Sequence, residues 1–314
     1  MAHPGRDRRL ATPPPLEFDE ALLHRGVRFR RGQVLVATTK PYAGVVMEEL
    51  TRAGLECHMV RNRNEIMVVP SGASKGVGLA AALTELGISP HDAVGIGDAE
   101  NDHSLLDACE LGVAVANAVP ALRARAELVL GEPDGRGVAA FLRGPILRGS
   151  RPPAPARWAV ELGRAASGAL VSVPASAVNV RIEGPTLSGK SWAAGLLAED
   201  LVRQGYSVCV IDPEGDHAAI ARLHACVSVG GHDPLPAAEQ IAGYFRPTFG
   251  SLVADLSQLP SQDRAQTGLA ILEAVQRQRE ESGFPHWVVI DEAQTVLGAD
   301  GPAGQAFRPE QKGF

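Results

Sequence analysis

Long apolar runs are missing from this 314-residue sequence. Nothing approaches the roughly 20 residues that a helix needs to cross a bilayer. The N-terminal MAHPGRDRRLATPPP also lacks the apolar core of a secretory signal. A soluble, cytoplasmic protein with no membrane partner is therefore expected. Cysteine is sparse: Cys57, Cys109, Cys209 and Cys226 stand apart with no C-x-x-C pair. That excludes the spacing of a thiolate zinc site or a disulfide framework. Lysine is equally sparse and a small minority of the basic residues, with Lys40, Lys75, Lys190 and Lys312 its only occurrences. A lysine inside a motif consequently carries more weight. Excess positive charge is absent, since the formal net charge is −6. This speaks against a protein that coats nucleic acid, although one local basic stripe could still bind phosphates. No internal repeat is present.

Alternation of apolar segments with helical spacing fills both halves. The stretch Arg143 to Trp158, RGPILRGSRPPAPARW, is rich in Pro, Gly and Arg and reads as a linker. Before it, RGQVLVATT predicts a strand and YAGVVMEELTRAG a helix ending at a glycine. ECHMVRNRNEIMVVPSG predicts a hairpin turning near Asn62–Asn64. From Lys75 the order is helix, strand (DAVGIGD), helix, strand (LGVAVAN), helix and short strand (ELVLG). After the linker, AVNVRIEG, SVCVIDPEG, ACVSVGG, GSLVADLS and HWVVIDEAQ predict strands separated by helices. Such alternation implies α/β architecture with parallel sheets in both halves.

GPTLSGKS fits G-x-x-x-x-G-K-[ST] between a predicted strand and a predicted helix. In that pattern backbone N–H groups of Gly184, Pro185, Thr186, Leu187, Ser188 and Gly189 (proline excepted) cradle phosphates at a helix N-terminus. Lys190 would reach the β- and γ-phosphates of ATP, and the Ser191 hydroxyl would ligate Mg²⁺. HWVVIDEAQ is an apolar strand ending in Asp291, placed to hold the Mg²⁺, and Glu292, placed to orient an attacking water. The region from Val178 to Thr295 resembles the P-loop ATPases of the HerA/FtsK-like translocase class. The resemblance rests on EGPTLSGKS, VIDPEGDH and VVIDEAQ. In that class the next strand often ends in a D-P-x-G-[ED]-like turn, matched by Asp212, Pro213, Glu214, Gly215 and Asp216; the competing reading is an ordinary Pro-Gly turn. VLGADGPAGQAFRPEQKGF offers no further strand-and-helix unit, so the domain is expected to be incomplete at its C-terminus.

GIGDAENDHSLL places three acids and an Asn within five residues after an apolar run. Acids so crowded repel unless a cation, helix end or water relieves them. Leu16 to Leu142 resembles the Cof-type branch of the haloacid-dehalogenase-like (HAD) hydrolases. Lys75 in PSGASKGVGLAAAL, GDAEND and GVAVANA carry the resemblance. It implies that Lys75 neutralises a phosphoryl group, that Asp98 and Asp102 bind or orient Mg²⁺, and that Asn117 positions the lysine. Glu100 is expected to face solvent or cap the next helix. His91 and His103 flank the motif, unpaired in the sequence, and are expected at the surface or as caps. A plain helix N-terminus rich in capping acids is the competing explanation of GDAEND.

The family's nucleophile is an Asp in D-x-D-G-[TS] on a first core strand, and no such segment exists here. The only aspartates before Lys75 are Asp7 and Asp19. The expected organisation is a disordered N-terminus (1–15), a partial hydrolase (16–143, with cap remnant 16–70 and core 71–143), a linker (144–157) and a P-loop domain (158–314). The strand DAVGIGD would then have an uncovered edge, a route to self-association. The expected activity is Mg²⁺-dependent ATP binding with slow hydrolysis. The alternatives are a phosphatase acting on a small phosphorylated substrate once a nucleophile is supplied, and a non-catalytic nucleotide-dependent interaction module.

Overall fold

A computed structural model describes residues 9–149, 154–245 and 250–297. The expectations for residues 1–8 and 298–314 therefore lie outside the described residues, and 9–15 carry no helix or strand. The chain divides into two compact units between Arg148 and Gly149.

The first unit opens with α1 (Leu16–His24), β1 (Phe29–Arg31), β2 (Val36–Thr39), α2 (Ala43–Ala53), β3 (Cys57–Asn62) and β4 (Glu65–Pro70). The strands form an antiparallel sheet in the order β1-β2-β4-β3. Period-2 alternation buries Ile66, Val68 and Pro70 of β4 on one face. Phe18 and Leu22 of α1, with Val46 and Leu50 of α2, pack into the same core as Ile66 and Val68. Gly54 stops α2 in the left-handed region at φ 60°, where a side chain would be strained.

A second layer follows: α3 (Lys75–Leu86), β5 (Val94–Gly97), α4 (His103–Asp107), β6 (Leu111–Ala114), α5 (Pro120–Arg125), β7 (Leu128–Val129) and α6 (Asp134–Leu142). Its sheet is parallel, in the order β5-β6-β7. All four residues of the central β6 are buried, as expected of a strand covered on both faces. Among the described residues β5 pairs only with β6 and forms an edge.

The second unit begins with an antiparallel hairpin, β8 (Val160–Arg164) and β9 (Leu170–Val173). It continues with α7 (Lys190–Arg203), β10 (Val208–Asp212), β11 (Cys226–Gly230), α8 (Ala238–Tyr244), β12 (Ser251–Asp255), α9 (Ser261–Ser282), β13 (Trp287–Ile290) and α10 (Ala293–Leu297). The sheet is parallel, ordered β11-β12-β10-β13. VCVID of β10 is buried throughout, while the edge strand β13 is half-buried along its length. Both units are thus α/β with parallel sheets.

One expected strand is absent. AVNVRIEG passes β13 without laddering. Two residues before it, Ala175 O accepts the Trp287 indole N–H at 2.6 Å, and within it Val180 packs in the cluster that includes Val289. From Arg181 to Gly189 every residue is exposed, and Arg181 pairs with Glu183 within the stretch. The polar half of its alternation leaves too little apolar surface to seat a strand.

Candidate functional site

In the first unit the acidic turn follows β5 directly, at the carboxyl end of a parallel strand where ligands of such sheets sit. Gly97 is required there, because a Cβ on it would lie 2.5 Å from Asp102 Cβ. That close approach folds the Asp102 carboxylate back over the strand end. Its Oδ2 accepts the N–H groups of Asp98 at 2.9 Å and Ala99 at 3.0 Å, and its Oδ1 takes the ammonium of Lys75. Burial pushes the Asp102 carboxyl upward, but the Lys75 hydrogen bond, the two backbone donors and the Lys75 charge outweigh it. Its pKa falls below the ordinary value.

Lys75 reaches this place because α3 starts beside α4. Ser74 caps α3, its hydroxyl accepting Val77 N–H at 3.1 Å. A Cβ on Gly76 would meet Ser104 O at 2.3 Å, so only glycine allows the approach. Asn101 keeps a shielded Oδ1 with no hydrogen-bond partner among the described residues.

Asp98 is half-exposed, and its partner was not visible in the sequence. Arg63, at the tip of the β3–β4 hairpin with φ 50°, places Nη2 2.5 Å from Asp98 Oδ2. Its backbone N–H donates to Glu100 Oε2 at 3.1 Å. Glu100 thus holds the hairpin tip rather than only facing solvent. Its carboxyl lies below the ordinary range through its own backbone N–H and that of Arg63. RNRNE at a predicted turn was the available signal, but nothing in it says where the tip lands.

Two further expectations need correction. Asn117 does not reach Lys75: its Nδ2 donates to Asp134 Oδ1 at 2.8 Å and its Oδ1 accepts Asp134 N–H at 3.1 Å. The amide secures the start of α6. His91 is not a surface residue; its Nδ1 lies 2.8 Å from Glu110 Oε2, with both side chains buried. Of the earlier aspartates, Asp19 sits in α1 and pairs with Arg31 at 2.5 Å, and Asp7 is outside the described residues.

In the second unit the loop Gly184–Gly189 curls on itself. Ser188 N–H donates to Pro185 O at 3.2 Å, and the Lys190 ammonium donates to the same carbonyl at 3.3 Å. A Cβ on Gly184 would lie 2.5 Å from Ser188 Oγ. Gly189 enters α7 at φ 89°, and Leu187 is fully exposed at φ 66°. Ser191 shares a helix face with Gly195 one turn on, and a Cβ on Gly195 would lie 3.2 Å from His217 Nδ1.

Asp212 and Asp291 stand side by side at the carboxyl ends of β10 and β13, where Ile211 pairs with Ile290. Asp212 accepts three backbone N–H groups, from Gly215 at 2.8 Å, Asp216 at 3.2 Å and His217 at 2.8 Å. Asp291 Oδ1 accepts Glu292 N–H at 3.0 Å, and its Oδ2 lies 2.9 Å from His217 Nε2. Glu292, at φ 41°, accepts from Gln294. Sequence reasoning placed His217 in VIDPEGDH without giving it a role.

Comparison with known proteins finds similarity in the first unit. Residues 31–142 match the family of haloacid dehalogenase-like hydrolases. A phosphoglycolate phosphatase of Methanopyrus kandleri is 36% identical over 135 residues, covering 43% of this chain and 53% of that protein. Phosphoglycolate phosphatase 2 of Saccharolobus solfataricus is 40% identical over 81 residues, 26% of this chain and 34% of that protein. A solved haloacid dehalogenase-like hydrolase from B. subtilis is 24% identical over 35% of this chain and 39% of its own, with a TM-score of 0.31. The chain therefore spans about half or less of these relatives. The similarity to haloacid dehalogenase-like hydrolases thus lies in residues 31–142.

Proposed function

We propose that the first unit binds Mg²⁺ and a small phosphorylated substrate as part of a phosphomonoester-hydrolysing site. The observation carrying this reading is the ion pair of Lys75 with the buried Asp102 at the carboxyl end of β5, beside the half-exposed Asp98. The donors suit a hard cation, because Asp98 and the unpartnered Asn101 Oδ1 offer oxygen alone. Asp98 would hold Mg²⁺, and Asp102, its oxygens already engaged, would orient Lys75 and the turn. Bound Mg²⁺ would supply positive charge to the phosphoryl oxygens. Lys75 would add its own charge at the same group. None of these residues is a free carboxylate nucleophile, and the 314 residues hold no D-x-D-G-[TS] segment. Turnover would then need a carboxylate supplied from elsewhere. The phosphoglycolate phosphatases among the relatives suggest phosphoglycolate as the first ligand to try. Calorimetric binding of phosphoglycolate should require Mg²⁺, vanish in Asp98→Asn and weaken in Lys75→Ala. Binding indifferent to all three changes would overturn the reading.

For the second unit we propose ATP binding through Gly184–Ser191. What supports it is the curled glycine loop at the N-terminus of α7, with Ser191 on the helix face whose Gly195 approaches His217. Lys190 would hold the phosphates. Ser191 and Asp291 would hold the Mg²⁺ that arrives with the nucleotide, and Glu292 would orient water for slow hydrolysis.

A further inference from the structure

Asp212, His217 and Asp291 each offer one ligand atom, and these atoms lie within 4.8 Å of one another. Their exposures are 0%, 4% and 6%. They come from three separate places: the end of β10, the turn after it, and the residue after β13. Like charges that close in a poorly hydrated place are strongly unfavourable unless compensated. Among the described residues no lysine or arginine pairs with either carboxylate, and His217 is the partner of Asp291. A charged imidazole would supply one positive charge against two negative ones; a divalent cation supplies two.

We propose that this triad is a binding site for a borderline divalent transition ion of the Zn²⁺ type, resident in the protein without nucleotide. The ligand count and spacing fit. Ligand atoms around an ion with bonds of about 2.1 Å lie roughly 3 to 4.2 Å apart; His217 Nε2 and Asp291 Oδ2, hydrogen-bonded at 2.9 Å, would part by a few tenths of an ångström to admit one. A carboxylate has about four acceptor positions. Asp212 spends three of them on backbone N–H groups that fix its orientation, leaving one for a metal. Asp291 Oδ1 is tied to Glu292 N–H, which leaves Oδ2 as the donor. One nitrogen with two oxygens selects a borderline ion over Mg²⁺, which prefers oxygen alone. Three protein ligands leave a fourth position open to water or an anionic ligand, the pattern of a reactive rather than a structural site. The inference does not rest on ATP binding; with the triad ion resident, the nucleotide's Mg²⁺ would be held by Ser191 and the phosphates rather than by Asp291.

The test uses the full chain, stripped with a chelator and free of nucleotide. Co²⁺ is followed by visible absorption and Zn²⁺ by titration calorimetry. One tight equivalent is expected, with Zn²⁺ displacing Co²⁺ and Mg²⁺ failing to do so. Outer-shell changes at metal sites cost about 10- to 100-fold in affinity, so loss of a direct ligand in His217→Ala should cost at least about 100-fold. His217→Gln retains an N–H donor for Asp291 but is a poor metal ligand; it should lose the metal while keeping the native circular dichroism. Equal metal affinity in native protein and His217→Gln, or displacement by Mg²⁺ as effective as by Zn²⁺, would overturn the proposal.

Discussion

Asp102 concentrates the electrostatics of the first unit in one buried carboxylate. Its folded pKa lies below the ordinary value, held there by Lys75 and two backbone donors against the opposing effect of burial. The unfolded chain thus binds the proton more readily, so the stabilisation is present above the unfolded value, about 4. It is lost as pH falls through the folded pKa. Thermal melting from neutral pH downward should show the native midpoint falling more steeply than that of Asp102→Asn, which cannot titrate there. Parallel curves would mean that the pair contributes nothing to folding. In the second unit Lys190→Ala removes an ammonium from a charge-assisted contact and should sharply weaken ATP binding. Unchanged affinity for labelled ATP would remove the nucleotide reading. Glu292→Gln should lower any hydrolysis rate while leaving ATP affinity nearly intact, as for a residue acting only in the transition state. The residues of the acidic turn were legible because a motif fixes their local spacing. Arg63 was not, because its place depends on where a hairpin 35 residues away lands.

At the scale of elements, close approach at glycine decides what fits. α3 contains Gly76, where a Cβ would meet a backbone oxygen at 2.3 Å, and Gly78, where it would meet nothing within 4 Å. Alanine favours a helix over glycine by about 1 kcal/mol at either position. Overpacking costs about 1–3 kcal/mol, so Gly76→Ala should lower stability and loosen the Lys75–Asp102 pair. Gly78→Ala should raise stability by up to about 1 kcal/mol. Urea unfolding of the two variants checks both signs, and a stabilised Gly76→Ala would show that α3 and α4 are not closely apposed. Most elements followed from periodicity: the β3–β4 alternation and the continuous apolar run of β10 were plain in the residues. AVNVRIEG shows where that logic stops. Its alternation has the right period, but a strand also needs a neighbour that gains from its apolar face. A single indole hydrogen bond and Val180 do not supply a ladder. The β8–β9 hairpin went unnoticed although Val160, Leu162, Leu170, Val171 and Val173 are apolar: it directly follows a Pro- and Arg-rich stretch read as linker, and its residues are mostly exposed.

At the scale of the whole molecule, the acidic turn stands at the free edge of its own sheet. β5 ladders with β6 on one side and with nothing on the other among the described residues, yet Asp98 and Asp102 follow its last residue. An unpaired parallel edge presents N–H and C=O groups ready to accept a further strand. A strand laid there would end beside Asp98, so a carboxylate at its end would face a phosphorus atom bound between Asp98 and Lys75. This chain is expected to hydrolyse no small phosphomonoester unaided, because on the proposed reading none of the described residues supplies an attacking carboxylate. A polypeptide carrying a D-x-D-G-[TS] strand should add Mg²⁺-dependent turnover when mixed with it. That turnover should disappear in Asp98→Asn, which removes charge from the proposed metal-holding position. It should persist in Lys190→Ala, which alters only the second unit. Release of phosphate from p-nitrophenyl phosphate or phosphoglycolate, followed with and without the added strand, is the measurement. Strong Mg²⁺-dependent turnover by the chain alone, undiminished in Asp98→Asn, would place the chemistry away from the β5 edge altogether.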